Sequence, residues 1–230
     1  MGNKMVEERV INTPMQEKIR QILDLLRGEY GVPEWHARHD SISVLVQTIL
    51  SQNTSDANSR GAFLALLNAF DNWQDLADAD VGTIAYCIRS GGLGRIKAQR
   101  IREALKEVAR KRGRLELDFL SRLTLSDAQD WLRKLPGVGV KTARCVLLFS
   151  LGMPALPVDT HILRVTKRLG LISPKASLHE AHYALGQVVP PADVYQFHIL
   201  VIEHGRRICQ ARHLNCRGCV LKKMCMSYTP

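Results

Sequence analysis

The sequence predicts an all-α protein built from many short helices. Apolar residues recur at spacings of three and four, for example at Ile19, Ile22 and Leu26, as they do on the buried face of a helix. Glycines that commonly end helices, such as Gly113 and Gly170, separate these stretches. No segment shows the sustained alternation of apolar and polar residues that is typical of paired strands. We therefore expect strands to be minor.

Two capping-box patterns predict where individual helices begin. Ser126 is followed three residues later by Gln129, and Ser177 is followed by Glu180. In this pattern each of the two side chains binds a backbone N–H group that the helix leaves without an acceptor. We expect helices to start directly after Ser126 and Ser177.

The overall charge of the chain is strongly basic. Lys and Arg number 32 against 22 Asp and Glu, which gives a formal net charge of +10 in 230 residues. Such an excess favours a polyanionic partner such as nucleic acid. A solvated basic surface without a partner is the alternative.

No feature of the sequence indicates a membrane or an export pathway. The chain lacks an apolar run of about 18 residues, and residues 1–15 lack the apolar centre and cleavage site of a signal peptide. We expect a cytoplasmic protein without a membrane partner. Since 46% of the residues are apolar, the chain can bury the core of one large domain or two small ones.

Four of the six cysteines lie close together near the end of the chain. Their spacing is C-x6-C-x2-C-x5-C, formed by Cys209, Cys216, Cys219 and Cys225. A cytoplasmic protein keeps its thiols reduced, so we expect a metal centre rather than disulfides. Four thiolates can hold a structural zinc ion or a [4Fe–4S] cluster. The spacing favours iron–sulfur, because four-cysteine zinc sites usually contain two C-x2-C pairs; unliganded cysteines are the least favoured interpretation.

The segment around these cysteines is basic. Residues 206–230 include no acidic residue, and their basic side chains are Arg206, Arg207, Arg212, Arg217, Lys222 and Lys223. Side chains of this kind can contact a phosphate backbone without sequence preference. Alternatively, they offset the negative charge of a thiolate-bound metal centre.

A glycine-containing turn lies between two predicted helices. Residues 135–141 read LPGVGVK, and Gly137 and Gly139 allow backbone angles that other residues resist. Backbone N–H groups of Gly137, Val138 and Gly139, at the start of the second helix, could approach a phosphate closely. The pattern predicts a helix–hairpin–helix, with a tight turn of no special function as the alternative.

Two further residues are candidates for catalysis. Lys141 falls in the first turn of the second helix, where a neutral amine could act as a nucleophile. Asp159 precedes a predicted helix with Ile162, Val165 and Leu169 on one face. A carboxylate there could stabilise positive charge developing on a sugar, as glycosidase carboxylates do. The alternatives are a solvated surface lysine and a helix-capping aspartate.

Together, LPGVGVKTA, VDTHILRV and the four-cysteine spacing resemble the endonuclease III family of helix–hairpin–helix DNA glycosylases. The resemblance runs from about Ser41 to Cys225. It implies a two-lobed all-α fold with a central helical barrel at 35–153 that contains the helix–hairpin–helix at about 126–150. The second lobe would combine 1–34 with 154–230 and carry the cluster loop at 209–225.

The resemblance also implies an activity. The partner would be duplex DNA that contains damaged bases or abasic sites, bound by a monomer, and the target nucleotide would be flipped out of the duplex. Lys141 would attack the sugar C1′, displace the base and form a Schiff base, and Asp159 would stabilise the cationic sugar. β-Elimination would then break the strand. The four cysteines would hold a [4Fe–4S] cluster with a structural and DNA-positioning role.

Single positions distinguish the nearest relatives of this family. Adenine-mismatch enzymes typically lack lysine where Lys141 stands and carry a glutamate in the region that here spans residues 47–56 and contains none. Thymine-mismatch enzymes usually have tyrosine at the lysine position. Lys141 therefore favours an enzyme that also cleaves the strand.

The N-terminal motif departs from the family pattern L-S-A-Q-A-T-D. Here residues 50–56 read LSQNTSD, so that Asn53 aligns with the glutamine that fills the gap left by the flipped nucleotide, and Gln52 precedes it. Either amide could fill the gap. Leu93 falls where the family places an apolar wedge between bases, although it could equally be a packed loop residue.

Two other functions remain open from the sequence. The first is a glycosylase for mismatched or alkylated bases on the same scaffold. The second is a DNA-binding protein without catalytic activity, which would need neither Lys141 nor Asp159.

Overall fold

The computed structural model describes residues 13–37, 40–89, 93–212 and 214–229. Within these residues the secondary structure is helical, apart from an isolated bridge between Cys209 and Leu214. The described part of the chain contains no helix that is long and apolar enough to cross a membrane. The predicted all-α fold is confirmed.

Eleven α-helices are described, together with short 3-10 helices at Asp118–Arg122 and Pro191–Asp193. In chain order the α-helices are α1 Pro14–Tyr30, α2 Ser41–Leu50, α3 Asp56–Ala69, α4 Trp73–Asp78, α5 Val81–Cys87, α6 Gly94–Arg112, α7 Leu125–Arg133, α8 Val140–Leu151, α9 Thr160–Arg168, α10 Leu178–Val188 and α11 Val194–Arg207.

The chain forms two compact units. One runs from Glu34 to Asp159 and contains α2 to α8, and the other combines the described residues up to Pro33 with those from Thr160 onward. The barrel and second lobe implied by the family resemblance stay predictions, and residues 1–12 of that lobe lie outside the described residues.

Helix α2 is the centre of the 34–159 unit. It is apolar on nearly every side, and Leu45, Val46 and Ile49 are fully buried, as expected for a helix surrounded by others. It packs against α3, α6 and α8. Asp40 caps its N-terminus by accepting hydrogen bonds from the N–H groups of Ile42 and Ser43.

In the other unit, α11 packs against α1 and α9, and α9 also contacts α10. The predicted capping box of Ser177 and Glu180 starts α10. The corresponding prediction for Ser126 is wrong: α7 begins at Leu125, two residues earlier than predicted. Its N-cap is Thr124, whose hydroxyl accepts from the N–H of Asp127. Ser126 and Gln129 lie inside α7 because Thr124 and Asp127 supply the same polar pair two residues earlier.

Candidate functional site

Helices α7 and α8 are joined by a short hairpin. Gly137 within it has φ +73°, and a Cβ atom at this position would lie 2.8 Å from side-chain carbons of Arg100. Both the left-handed backbone and the close approach require glycine. Gly139 has φ −89°, and a Cβ there would meet nothing within 4 Å. The predicted need for an unusual backbone angle is therefore confirmed at Gly137 and wrong at Gly139.

Lys141 is the second residue of α8, and its side chain is exposed. The helix receives no side-chain cap at Gly139, and its first internal hydrogen bond joins the Ala143 N–H to the Gly139 carbonyl at 3.0 Å. The preceding N–H groups of α8 have no acceptor within the helix. Helix ends of this type attract anions such as phosphate.

Asp159 ends a segment without regular secondary structure that follows α8, and α9 begins at the next residue. The segment is held by Arg144, which lies one turn after Lys141 on α8. The Arg144 side chain donates to the Leu156 carbonyl at 3.1 Å and to Gln129 Oε1 at 3.0 Å. Val158 is fully buried and Asp159 is half-buried. Helix α8 thus carries Lys141 and also anchors the chain that leads to Asp159.

The loop between α2 and α3 distinguishes the two candidate amides. Gln52 Nε2 donates to the Gly137 carbonyl at 3.2 Å and to Thr142 Oγ1 at 3.3 Å, while its Oε1 accepts from Arg100 Nη1 at 2.9 Å. The Gln52 side chain is therefore committed to the hairpin and to α8. Asn53 is exposed and has φ +52°, a left-handed backbone that asparagine tolerates better than most residues.

Helix α6 begins beside this loop. Leu93 precedes the helix with φ +51°, and 53% of its surface is exposed, so it is not the packed loop residue that was the alternative to a wedge. Four residues later, Lys97 is only 1% exposed, and its Nζ donates to the Leu50 carbonyl at 2.7 Å. Burial lowers the pKa of the Lys97 amine, because water no longer solvates its charged form.

The four clustered cysteines line one cavity between α9, α11 and the C-terminal loop. No disulfide joins them. Burial is the main cause that raises the pKa of the Cys219 thiol, and the other three cysteines add to it. Among the described residues, no set of three or more side chains is already arranged as a metal site. Four sulfur donors around one cavity nevertheless fit a thiolate-bound metal centre in their chemistry.

Other side chains of the same unit reach the cysteine sulfurs. Arg168 Nη1 lies 3.2 Å from Cys209 Sγ, and His204 Nε2 lies 3.5 Å from Cys219 Sγ. His204 Nδ1 is 3.0 Å from the Tyr30 hydroxyl. Burial lowers the pKa of His204 to about 4 and is the main cause that raises the pKa of Tyr30 to about 12. A neutral ring and a protonated phenol let Tyr30 donate to His204, and His204 donate to the sulfur.

Four basic side chains near the cysteines were predicted to contact DNA phosphates. All four are exposed: Arg212, Arg217, Lys222 and Lys223. They lie in the unit that combines the described residues up to Pro33 with those from Thr160 onward. The 34–159 unit contains the other candidates, which are Lys141, Asp159, the hairpin, Gln52, Asn53 and Leu93.

Several residues of the site carry almost no signal in the sequence. Arg100, Thr142 and Arg144 act through contacts with residues outside their own helices. Arg144 and Leu156 are 12 positions apart, whereas Thr142 and Gln52 are 90 apart. Lys97 has the sequence context of an ordinary surface lysine. The one available signal is the spacing of Lys97 and Arg100, which places both on the same face of α6.

Comparison with known proteins agrees with this arrangement. Residues 46–191 match the family model of the HhH-GPD superfamily base excision DNA repair proteins. Endonuclease III of Thermotoga maritima is 35% identical over 196 residues, covering 85% of this chain and 87% of that protein. A putative DNA glycosylase of Arabidopsis thaliana is 36% identical over 77% of this chain, and the chain spans 59% of that relative's length.

The fold agrees as well. A solved endonuclease III structure, a non-covalent complex with DNA, is 29% identical and superposes with a TM-score of 0.78, covering 92% of this chain and 95% of that one. The family model, the sequence similarity and the fold thus indicate the same family. The chain therefore belongs to the HhH-GPD superfamily of base excision DNA repair proteins and, within it, to the endonuclease III family of DNA glycosylases.

Proposed function

We propose that this DNA glycosylase is bifunctional: it removes a damaged base, an oxidised pyrimidine, from duplex DNA and then cleaves the strand at the resulting abasic site. The observation that carries the proposal is the position of Lys141. Its amine is exposed in the first turn of α8, directly after the hairpin, and the same helix anchors the segment that ends at Asp159.

In the proposed reaction the Lys141 amine attacks C1′ of the flipped nucleotide, and the bond from C1′ to the base breaks with its electron pair leaving on the base. Asp159 stabilises the positive charge that develops on the sugar in this step. The departing base takes up a proton from solvent. The sugar ring then opens as the bound amine passes one of its protons to O4′, which leaves a protonated imine between Lys141 and C1′. Loss of a proton from C2′ then expels the 3′ oxygen, which breaks the strand, and water hydrolyses the imine to free the lysine.

The hairpin and the loops around it would hold the DNA. Backbone groups of Gly137, Val138 and Gly139, with the open start of α8, would bind a phosphate. Leu93 would act as the apolar wedge, because it is exposed at the start of α6. Asn53 would fill the gap left by the flipped nucleotide, because the Gln52 side chain is already engaged by the hairpin.

Cys209, Cys216, Cys219 and Cys225 would hold a [4Fe–4S] cluster, with the exposed basic residues Arg212, Arg217, Lys222 and Lys223 contacting phosphates nearby. The cluster would supply structural stability to this loop rather than reaction chemistry. Arg168 and His204 would donate hydrogen bonds to the sulfurs and so stabilise them as thiolates. We propose that the active form is a monomer.

Borohydride trapping on a duplex with one abasic site tests the lyase proposal. We expect a covalent adduct with the unmodified protein and none with Lys141→Ala. Lys175→Ala, a change of another exposed lysine in the other unit, is the matched control and should trap normally. An adduct that survives Lys141→Ala would exclude Lys141 as the nucleophile. No adduct from correctly folded protein would favour a glycosylase without lyase activity, or a DNA-binding protein without catalysis.

A further inference from the structure

The α2–α3 loop, residues 51–55, is tied to two other elements of the 34–159 unit by a single side chain. Gln52 donates through Nε2 to the Gly137 carbonyl in the hairpin and to Thr142 Oγ1 on α8. Its Oε1 accepts from Arg100 Nη1 on α6 at 2.9 Å. One amide therefore connects the loop, the hairpin and two helices.

Helix α6 also holds the end of α2, directly before this loop. Lys97, one turn before Arg100 on the same face of α6, donates to the Leu50 carbonyl at the end of α2. Burying a lysine costs free energy unless its amine is hydrogen-bonded, and the bond to Leu50 offsets part of that cost. The aliphatic part of Arg100 also packs against Gly137, so closely that a Cβ atom there would meet three of its carbons at 2.8 Å. Helix α6 thus fixes both the loop and the hairpin.

These contacts fix the backbone positions of two functional residues, Asn53 and Lys141. Asn53 follows Gln52 directly, and the N-cap at Ser55 fixes the loop on its other side. Thr142 follows Lys141 on α8. A hydrogen bond from Gln52 to Thr142 therefore sets the position of the Asn53 backbone relative to the helix that carries the candidate nucleophile. The family pattern has alanine where Gln52 stands, and alanine could not make these bonds.

We propose that Gln52 and Arg100 are positioning residues that hold the α2–α3 loop against the hairpin, so that Asn53 can occupy the space left by a nucleotide that has moved out of the duplex. The inference rests on the proposed function, because it needs a DNA duplex with a vacated position. Neither residue takes part in bond breaking. Their effect is greatest on DNA that has a gap to fill.

The test compares two duplexes of the same sequence, one undamaged and one with a tetrahydrofuran abasic analogue that cannot react. Dissociation constants are measured by fluorescence anisotropy at one salt concentration. Gln52→Ala removes all three hydrogen bonds of that side chain. We expect it to reduce the preference for the abasic duplex by about tenfold, the factor that one or two ordinary hydrogen bonds are worth. Binding to the undamaged duplex should weaken much less, because the hairpin keeps its glycine geometry and the open start of α8. Gln74→Ala, which removes only a surface contact with Asp78 on α4, should alter neither constant.

A double-mutant cycle separates positioning from direct contact with DNA. If Arg100 acts through Gln52, Arg100→Ala should add little to the loss of preference already caused by Gln52→Ala. If Arg100 only contacts a phosphate, the two losses should multiply, and the pairing of the two residues would be wrong.

The remaining outcomes also decide the proposal. An equal loss on both duplexes, with a lower unfolding temperature, would indicate a merely structural role and overturn it. An unchanged preference in Gln52→Ala, or no preference in the unmodified protein, would overturn it too. The measurement involves no chemistry, so failure of the Schiff-base mechanism would be recognised separately, by missing borohydride adducts on a reactive abasic site.

Discussion

Arg144 shows how one side chain can relate the two candidate catalytic residues. It projects from α8 one turn after Lys141 and binds the Leu156 carbonyl, three residues before Asp159. A second bond to Gln129 fixes its guanidinium from the side of α7. Burial lowers the pKa of this guanidinium, and the nearby Arg133 contributes to the same shift. Lysine cannot replace arginine at this partly buried site, because the two directional hydrogen bonds need the planar fork of donors of a guanidinium.

We therefore expect Arg144→Lys to slow the chemical step while leaving DNA binding nearly intact. A small displacement of Asp159 should lower the single-turnover rate of base removal by about 10- to 100-fold, the scale expected for misplaced catalytic groups. The measurement is a quenched time course on a lesion-bearing duplex, with anisotropy for binding. Arg114→Lys, which changes an exposed ion pair with Glu116 at 2.6 Å, is the control. A normal rate in Arg144→Lys would show that α8 does not position Asp159 in this way.

Among the helices, the start of α7 depends on a local hydrogen-bonding choice. The sequence predicted Ser126 as the cap, and Thr124 lies two residues before it. The structure uses Thr124, whose Oγ1 accepts from the Asp127 N–H at 3.2 Å and donates to the Asp127 carboxylate at 2.7 Å. Ser126 lies within the helix. The first arm of the helix–hairpin–helix is therefore longer than Ser126 would allow.

Substitution of each candidate by alanine tests this choice. Thr124→Ala should lower the free energy of unfolding by about 1 kcal/mol, as expected for the loss of an N-cap. Ser126→Ala should leave it unchanged or raise it by about 0.5 kcal/mol, because alanine is the better residue inside a helix. Urea unfolding of both variants measures the difference. A larger loss for Ser126→Ala than for Thr124→Ala would place the cap at Ser126.

For the molecule as a whole, the features that depend on neighbouring residues could be predicted from the sequence better than the long-range contacts. The helical fold and the capping box at Ser177 follow from residues only a few positions apart, so they were visible in the sequence. The contact between Gln52 and Gly137 spans 85 positions, and the burial of Lys97 depends on helix packing. Such contacts produce no periodic pattern in the sequence. The candidate nucleophile, the aspartate and the cysteines could be named from motifs, whereas the side chains that position them could not.

The C-terminal loop, residues 209–229, belongs to the unit that contains α1 and α9 to α11. We expect the stability of this unit to depend on a few residues of the loop. The loop follows α11 at Cys209 and returns to α9, where the Met226 N–H donates to the Arg168 carbonyl at 3.1 Å. Between these points the loop has little apolar surface of its own, and Leu221 is its one fully buried hydrophobic residue among those described. If the four cysteines hold a metal centre, its binding free energy contributes directly to folding of this unit.

Cys216→Ala should accordingly lower the unfolding temperature by roughly 5–10 °C, which corresponds to a few kcal/mol for a chain of this size. Cys87→Ala, a change of a half-buried cysteine on α5 in the other unit, should lower it much less. Calorimetry measures both, and metal analysis with visible absorption identifies the ion, since iron–sulfur proteins are coloured and zinc proteins are not. Equal unfolding temperatures for Cys216→Ala and the unmodified protein would mean that the loop is held by its hydrogen bonds to α9 and α11 alone. Colourless protein with bound zinc would keep the structural role of the four cysteines and replace the cluster with a single ion.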